Sequence, residues 1–283
     1  MKKRWLRIVI FIVLLMLFPV LFVALRPAPS PLTFYFFDVG QGDAALIRTP
    51  DGDFLIDAGP DSSEEQLLVR LRALGVHRLR LMALTHADED HVGGADLLME
   101  HLEIEQLWIG SDSSFGEPME RVLQLARERQ IPLSTPCAGE TVHIGDAVFE
   151  LFSPIPLSGF TGNNGSLVFR FSYMGIRALF MGDVNGEVER EMAKRFSHLL
   201  ESDVYKVAHH GSSTGESQQL LYWIRPRFAV ISCGEGNSYG HPHGQTLALL
   251  ESAGAEILRT DRMGEIVLRY EDGKLVRAKN TLF

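Results

Sequence analysis

Thr85-His86-Ala87-Asp88-Glu89-Asp90-His91 places four potential metal ligands, His86, Asp88, Asp90 and His91, within six consecutive positions. Neutral imidazoles and ionised carboxylates together suit zinc, and a carboxylate-rich shell also suits manganese. The apolar run Leu81–Leu84 precedes this segment and Val92-Gly93-Gly94 follows it. A strand end holds such ligands rigidly, the tight loop turns them inward, and the glycines let a helix start close behind. A lone histidine is usually structural, but His-x-Asp-x-Asp-His at a strand end is rarely accidental. Asp183 follows another apolar run, Ala178–Met181, and Gly182. That placement suits a carboxylate shared by two cations, or else a helix N-cap. Two divalent ions about 3.5–4 Å apart acidify a bridging water, so the chemistry on offer is hydrolysis, with Asp90 placed to orient the hydroxide.

These residues need strands to carry them. Phe34–Phe37, Ala44–Ile47, Phe54–Ile56 and Leu81–Leu84 read as strands broken by Gly and Asp turns. Ser62-x-x-Glu65 reads as a capping box opening a helix with Leu67, Leu68, Leu71 and Leu74, which Gly75 ends. Strands near Ala147–Phe152, Leu167–Phe171, Ala178–Met181, Val204–Val207 and Phe228–Ile231 follow, with helices near Glu187–Leu199 and Gln218–Ile224. Two β-rich halves with covering helices fit an α/β class, a four-layer αββα sandwich with facing sheets.

The His-x-Asp-x-Asp-His run resembles the signature of the metallo-β-lactamase superfamily, with Asp88 where a second histidine is commonest. An aspartate there is typical of the branch that includes the soluble domain of the competence protein ComEC. Phe37-Asp38-Val39-Gly40-Gln41-Gly42-Asp43-Ala44 is similar to that branch's opening motif, and Leu55-Ile56-Asp57-Ala58-Gly59 to its next strand. Asn164-Gly165-Ser166-Leu167-Val168, Met181-Gly182-Asp183-Val184 and Lys206-Val207-Ala208-His209-His210-Gly211-Ser212 follow in order. Ser232-Cys233-Gly234, continuing through Asn237, Tyr239, Gly240, His241 and Pro242, completes the set. The family's large multi-helix membrane channel has no counterpart in a chain with one apolar span, so its DNA-import role is not carried over.

The resemblance implies two metal ions. His86 and Asp88 would bind one, Asp90 and His91 the other, with Asp183 bridging. Most relatives complete the first site with a histidine ahead of the bridging aspartate, but Gly162 to Val168 contains none. His209 is the choice to complete that site and His241 to complete the second. His210 is then left to the second shell or to substrate, as a group that protonates a leaving group or holds an oxyanion. Asp57 is expected to hydrogen-bond a ligand histidine. Asp43 and Asp38 either do similar work or cap turns. Asn164, Ser166 and Ser212 are either substrate contacts or turn-formers. His77, His101, His143, His198 and His243 read as surface or packing residues.

Lys2, Lys3, Arg4 and Arg7 precede an unbroken apolar run from Ile8 to Leu25, 18 residues long. That length just spans a bilayer, and the charge asymmetry places the N-terminus in the cytoplasm. Residues 1–26 therefore read as a membrane anchor, or a signal peptide if cleaved, 27–32 as a proline-rich linker and 33–283 as an extracytoplasmic domain. Taking the five basic residues of Met1 to Arg26 from the chain's 27 leaves 22 against 36 acidic ones. Such a charge argues against broad, tight nucleic-acid binding. Cys137 and Cys233 match no metal pattern; they read as free thiols, with a disulfide allowed outside the cell.

Three function classes stand. The first is a metal-dependent phosphodiesterase or nuclease with Zn²⁺ or Mn²⁺, acting on a nucleic acid end or another phosphodiester. The second hydrolyses a lactam, lactone or thioester. The third is a non-catalytic surface module that keeps its metals.

Overall fold

Alternation along Thr33–Phe36 sets the architecture. Phe34 and Phe36 point one way into an aromatic core, while Tyr35 and, just beyond the strand, Phe37 point the other way under helices. A strand buried on both faces belongs to the inner layers of a sandwich. The computed structural model describes residues 30–111, 116–215 and 217–278, together with Trp5. Contacts cluster into two units, Met1–Ser30 and Pro31–Phe283, and the fold described here is that of the second. Trp5 apart, the expected anchor at Met1 to Arg26 lies outside the described residues. Among the described residues no helix is long and apolar enough to cross a membrane.

One sheet has eight strands, in the order Lys274–Arg277, Ile266–Glu271, Thr33–Phe36, Ala45–Thr49, Gly52–Ile56, Leu81–Leu84, Leu107–Ile109 and Leu133–Ser134. The other has seven: Glu256–Arg259, Phe228–Ile231, Val204–Lys206, Ile176–Phe180, Val168–Tyr173, Ala147–Ser153 and Thr141–Ile144. Between the sheets lie Phe34, Phe36, Phe54, Trp108, Phe149, Phe169, Phe171 and Phe180. Helices Glu64–Ala73, Ala95–His101 and Glu117–Glu128 cover the outer face of the first sheet. Gly186–Phe196, Gln218–Ile224 and Gly244–Ser252 cover that of the second. The result is the αββα arrangement expected from the strand pattern.

Four strands of each sheet run parallel to one another, Gly52–Ile56 through Leu133–Ser134 in the first and Ile176–Phe180 through Glu256–Arg259 in the second. Parallel neighbours need crossover connections, and loops leaving the carboxyl ends of such strands are where open α/β sheets build their sites. Asp57, Thr85–His91, Asp183, His209–His210 and the Cys233–His241 segment all leave carboxyl ends of these strands.

Two local readings differ from the sequence expectation. Asp61–Ser63 forms a single 3-10 turn, and Ser63 Oγ donates to the Pro60 carbonyl (3.1 Å), so the helix starts at Glu64 without a capping box at Ser62. The hairpin Ile266–Glu271 with Lys274–Arg277, which the strand pattern missed, pairs with Thr33–Phe36 and extends the first sheet. Cys137 is half-buried and Cys233 buried, and both are free thiols.

Phe149 touches the rings of Phe54, Trp108, Phe169 and Phe171, with centroids 5.3–5.7 Å apart, so it bridges the sheets. Phe149→Ala should lower the free energy of urea unfolding by about 3–5 kcal/mol. Val69→Ala, on an exposed helix face, should change it by less than about 0.5 kcal/mol.

Candidate metal centre

Asp183 is the hub of the site. Gly182 ends the apolar run and delivers its carboxylate, 3% exposed, to the space between the sheets. Its Oδ1 lies 3.3 Å from His91 Nε2, and its Oδ2 lies 3.5, 3.7 and 4.0 Å from the Nε2 atoms of His210, His209 and His86. One carboxylate thus faces four imidazoles. His86 Nε2 lies 3.5 Å from Asp88 Oδ2. His210 Nε2 lies 3.1 Å from Asp90 Oδ2 and 3.3 Å from His91 Nε2.

The hydrogen bonds behind the rings set their tautomers. The Ser232 carbonyl can only accept, so His210 Nδ1, 3.0 Å away, carries the proton. His91 Nδ1 donates to Asp57 Oδ2 at 2.9 Å. Asp57 is itself held by the backbone N–H of Thr85 (2.7 Å) and the Thr85 hydroxyl (2.9 Å). With Nδ1 so anchored, His91 and His210 turn their Nε2 atoms toward each other and toward carboxylates, an arrangement that fits a cation between them once those nitrogens give up their protons. His86 Nε2 and Asp183 Oδ1 are also buried without a hydrogen bond. The donor set fits divalent metal ions.

Charge reinforces the geometry. Burial alone would lower the His91 and His210 pKa values. For His91 the carboxylates of Asp183 and Asp57 outweigh it and hold the ring well above its ordinary value. For His210 those of Asp183 and Asp43 do so and raise it to about 10. Burial would raise Asp183, but His91 and His210 hold it well below the usual carboxylate range. His241 is pushed down to about 4 by burial and by His210, His243 and His209.

Residues 37–235 match the protein family described as the metallo-beta-lactamase superfamily. This chain belongs to that superfamily. ComE operon protein 3 of Bacillus subtilis is 34% identical over 253 residues, covering 83% of this chain and 32% of its own length. Competence protein ComA of Neisseria gonorrhoeae is 29% identical, covering 87% of this chain and 34% of its own. The chain spans about a third of the length of these curated relatives. Among solved structures, the diiron beta-hydroxylase CmlA of Streptomyces venezuelae aligns with a TM-score of 0.57 at 13% identity, over 87% of this chain and 55% of its own. The fold protein YhfI of Bacillus subtilis aligns at 0.53 and 11% identity, over 80% and 96%. At such identities the likeness shows the fold alone, and a hydroxylase among these neighbours means that the fold does not fix the reaction.

Within this superfamily site, several positions differ from the sequence expectation. His210, not His241, stands beside Asp90 and His91, and its Nδ1 is spent on Ser232, so it is not turned to substrate. The reason is backbone: His209 (φ 48°) and His210 (φ 53°) are both left-handed, and this turn swings His210 back under the site. Gly211 continues the turn where a Cβ would strike Pro242. His241 lies at the rim, its ring 5.8 Å from that of His209 and 6.2 Å from that of His210, stacked on exposed Tyr239. His243, read as a surface or packing residue, sits edge-on to His241 and accepts from the Ser213 N–H.

Of the two roles open to Asn164, Ser166 and Ser212, their hydrogen bonds fit that of turn-formers. Ser166 Oγ donates to the Asn163 carbonyl (2.6 Å), Asn164 Oδ1 accepts from Asn185 N (3.0 Å), and Ser212 Oγ lies 3.0 Å from Thr214 Oγ1. Ser166 and Ser212 are buried. Exposed Asp38 accepts from Gly40 N within its own turn, outside the cluster. Asp43, in contrast, is buried against the site: it, His91, Asp183 and His210 offer atoms all within 4.8 Å of one another. Thr85 and Lys206 were missed. Their signals were a hydroxyl beside the ligand run and a charged residue inside an apolar strand.

His210→Ala should reduce the metal bound per chain by one ion, measured by plasma mass spectrometry after dialysis, whereas His241→Ala should leave the stoichiometry unchanged. The reverse pattern would return the second site to His241.

Proposed function

We propose that this chain is a two-metal phosphodiesterase of the ComEC-like type, with Mn²⁺ or Zn²⁺ as its ions, acting outside the cytoplasm. The observation that carries the reading is the single carboxylate of Asp183 facing the imidazoles of His86, His91, His209 and His210, with Asp88 beside His86 and Asp90 beside His210. Three carboxylates and four imidazoles so grouped are a donor set large enough for a pair of divalent ions. When bound, such a pair supplies Lewis acidity and an activated water, and it suits displacement at phosphorus, where attacking and leaving oxygens both need charge stabilisation. Asp90 is only partly buried, so one of its oxygens can orient a water at the open side while Oδ2 stays on His210. His241, neutral at physiological pH, lines the rim beside Tyr239.

Two further supports bear on the substrate. The aspartates at 88, 90 and 183 make a harder shell than an all-histidine one, which favours oxygen-rich anions bridging hard ions. One relative is named Competence protein ComA, and another, 27% identical over 243 residues, is named Recombination protein 2 in Haemophilus influenzae. That supports a DNA-related phosphodiester. The acidic balance of the domain favours ends or short strands over long polymers.

The outward location rests on the basic-then-apolar order of Met1 to Arg26. Added protease should degrade the domain on intact protoplasts; protection until lysis would overturn it.

Activity is tested with the purified chain on bis-p-nitrophenyl phosphate and on single- and double-stranded DNA, with Mn²⁺ or Zn²⁺. Turnover should require metal, stop with a chelator, and fall on the order of 10²-fold or more in Asp90→Ala. A metal-loaded protein inactive on every phosphodiester would sink the reading and point to carboxylic substrates or a binding module.

A further inference from the structure

Lys206 ends the strand Val204–Lys206, is 4% exposed, and faces the inter-sheet core beside its strand partners Phe180 and Val230. A lysine there loses its hydration and is tolerated only with a partner. Its Nζ lies 2.7 Å from Asp43 Oδ2 and donates to the Val207 carbonyl (3.1 Å). Asp43 precedes the strand Ala45–Thr49 of the other sheet, so this ion pair crosses the sandwich directly beneath the metal centre.

The other oxygen of Asp43 has no hydrogen bond and lies 3.7 Å from His210 Nδ1. Asp90, Asp183 and His91 face the opposite ring nitrogen, Nε2. Asp43 therefore reaches His210 from behind. It belongs to the four-residue group of close donors, but an ion held by His210 Nε2 lies on the far side of the ring. The Nδ1 edge is already committed to the Ser232 carbonyl.

A carboxylate stands behind His91 as well. There Asp57 accepts the Nδ1 proton at 2.9 Å and is fixed by Thr85; here Asp43, fixed by Lys206, lies 3.7 Å from Nδ1 and acts on that edge through its charge, the hydrogen bond being made by Ser232. The backbone joins the two: Asp43 N donates to the Asp90 carbonyl (3.1 Å), and the Asp43 carbonyl accepts from Gly59 N (2.8 Å). Gly42 is needed for the approach, since a Cβ there would run into the Asp90 carbonyl.

We infer that Lys206 is a positioning residue: it holds Asp43 behind His210, so that the Lys206–Asp43 pair orients that imidazole toward the metal as Thr85–Asp57 orients His91. Carboxylates behind ligand histidines raise ligand basicity and fix the ring, and losing one weakens metal binding by roughly 10–100-fold.

This rests on the metal centre proposed above, and the test separates the two. Dissociation constants for Mn²⁺ and Zn²⁺ are measured by chelator competition on the full chain, with urea unfolding of the metal-free protein alongside. In Lys206→Met, one of the two ions should bind roughly 10–100-fold more weakly and the other as in the wild type. Lys206→Met leaves a buried carboxylate uncompensated and lowers stability, so the neutral pair Asp43→Asn with Lys206→Met is the second variant. It should recover stability but keep the weakened ion. Recovery of wild-type affinity in that double variant, or unchanged affinity in Lys206→Met, would reduce the pair to a structural ion pair and overturn the inference. A wild-type chain that binds neither metal would overturn the centre and this role together.

Discussion

Burying the Asp183 carboxylate at the meeting of two sheets is the constraint on which the rest of the site depends. A buried carboxylate is costly unless positive charge and hydrogen-bond donors surround it. Here the surroundings are four imidazoles, themselves flanked by Asp88, Asp90, Asp57 and Asp43. So many carboxylates in so small a volume demand cations, and Lys206 is one that the fold supplies itself. The strained backbone follows from the same demand. Asp57, His209 and His210 all sit at positive φ, and non-glycine residues are held there only where their surroundings leave no alternative.

The sandwich separates what holds the molecule together from what the site does. Alternate residues of each inner strand feed an aromatic core whose packing is indifferent to charge. The loops at the carboxyl ends of the same strands carry the polar cluster. Preorganisation comes from this arrangement, because each ligand is one to a few residues from a strand whose position the core fixes. Both sheets contribute: Asp43, Asp57 and the Thr85–His91 run come from the first, and Asp183, His209, His210 and His241 from the second. The centre can form only when the two sheets are packed together.

How much of this was legible in the sequence follows from distance along the chain. The Thr85–His91 run was legible because its ligands are contiguous and follow a recognisable strand, and Asp183 because a glycine separates it from another. The facing sheets were legible because strand patterns recur in both halves. Which of His209, His210 and His241 meets Asp90 was not, because adjacent residues on a turn differ in direction by a pair of dihedral angles. The two left-handed residues that turn His210 inward leave no compositional trace. Lys206 was hidden for a related reason: a lysine inside the apolar run Val204–Val207 has no visible partner until the opposite sheet brings Asp43 to it. The serines at 166 and 212 were open between substrate contact and turn-former, because only the fold shows the tight turns that consume their hydroxyls.

The same electrostatics bear on how the centre accepts its ions. In the metal-free chain the carboxylates raise His91 and His210, the latter to about 10, and the two imidazoles in turn hold Asp183 and Asp90 below the usual carboxylate range. Because the folded pKa of each histidine is raised, this contribution to stability is complete below the ordinary imidazole range. For His210 it is lost as the pH rises toward about 10. Protons therefore occupy the role that divalent ions would take, with the same partners in the same places. Metal uptake at these residues would then exchange protons for cations, since a ligand imidazole must give up its proton to bind. The hydrogen bonds to the Nδ1 atoms make that exchange possible, since they survive the loss of the Nε2 proton and leave the lone pair aimed where the proton had been.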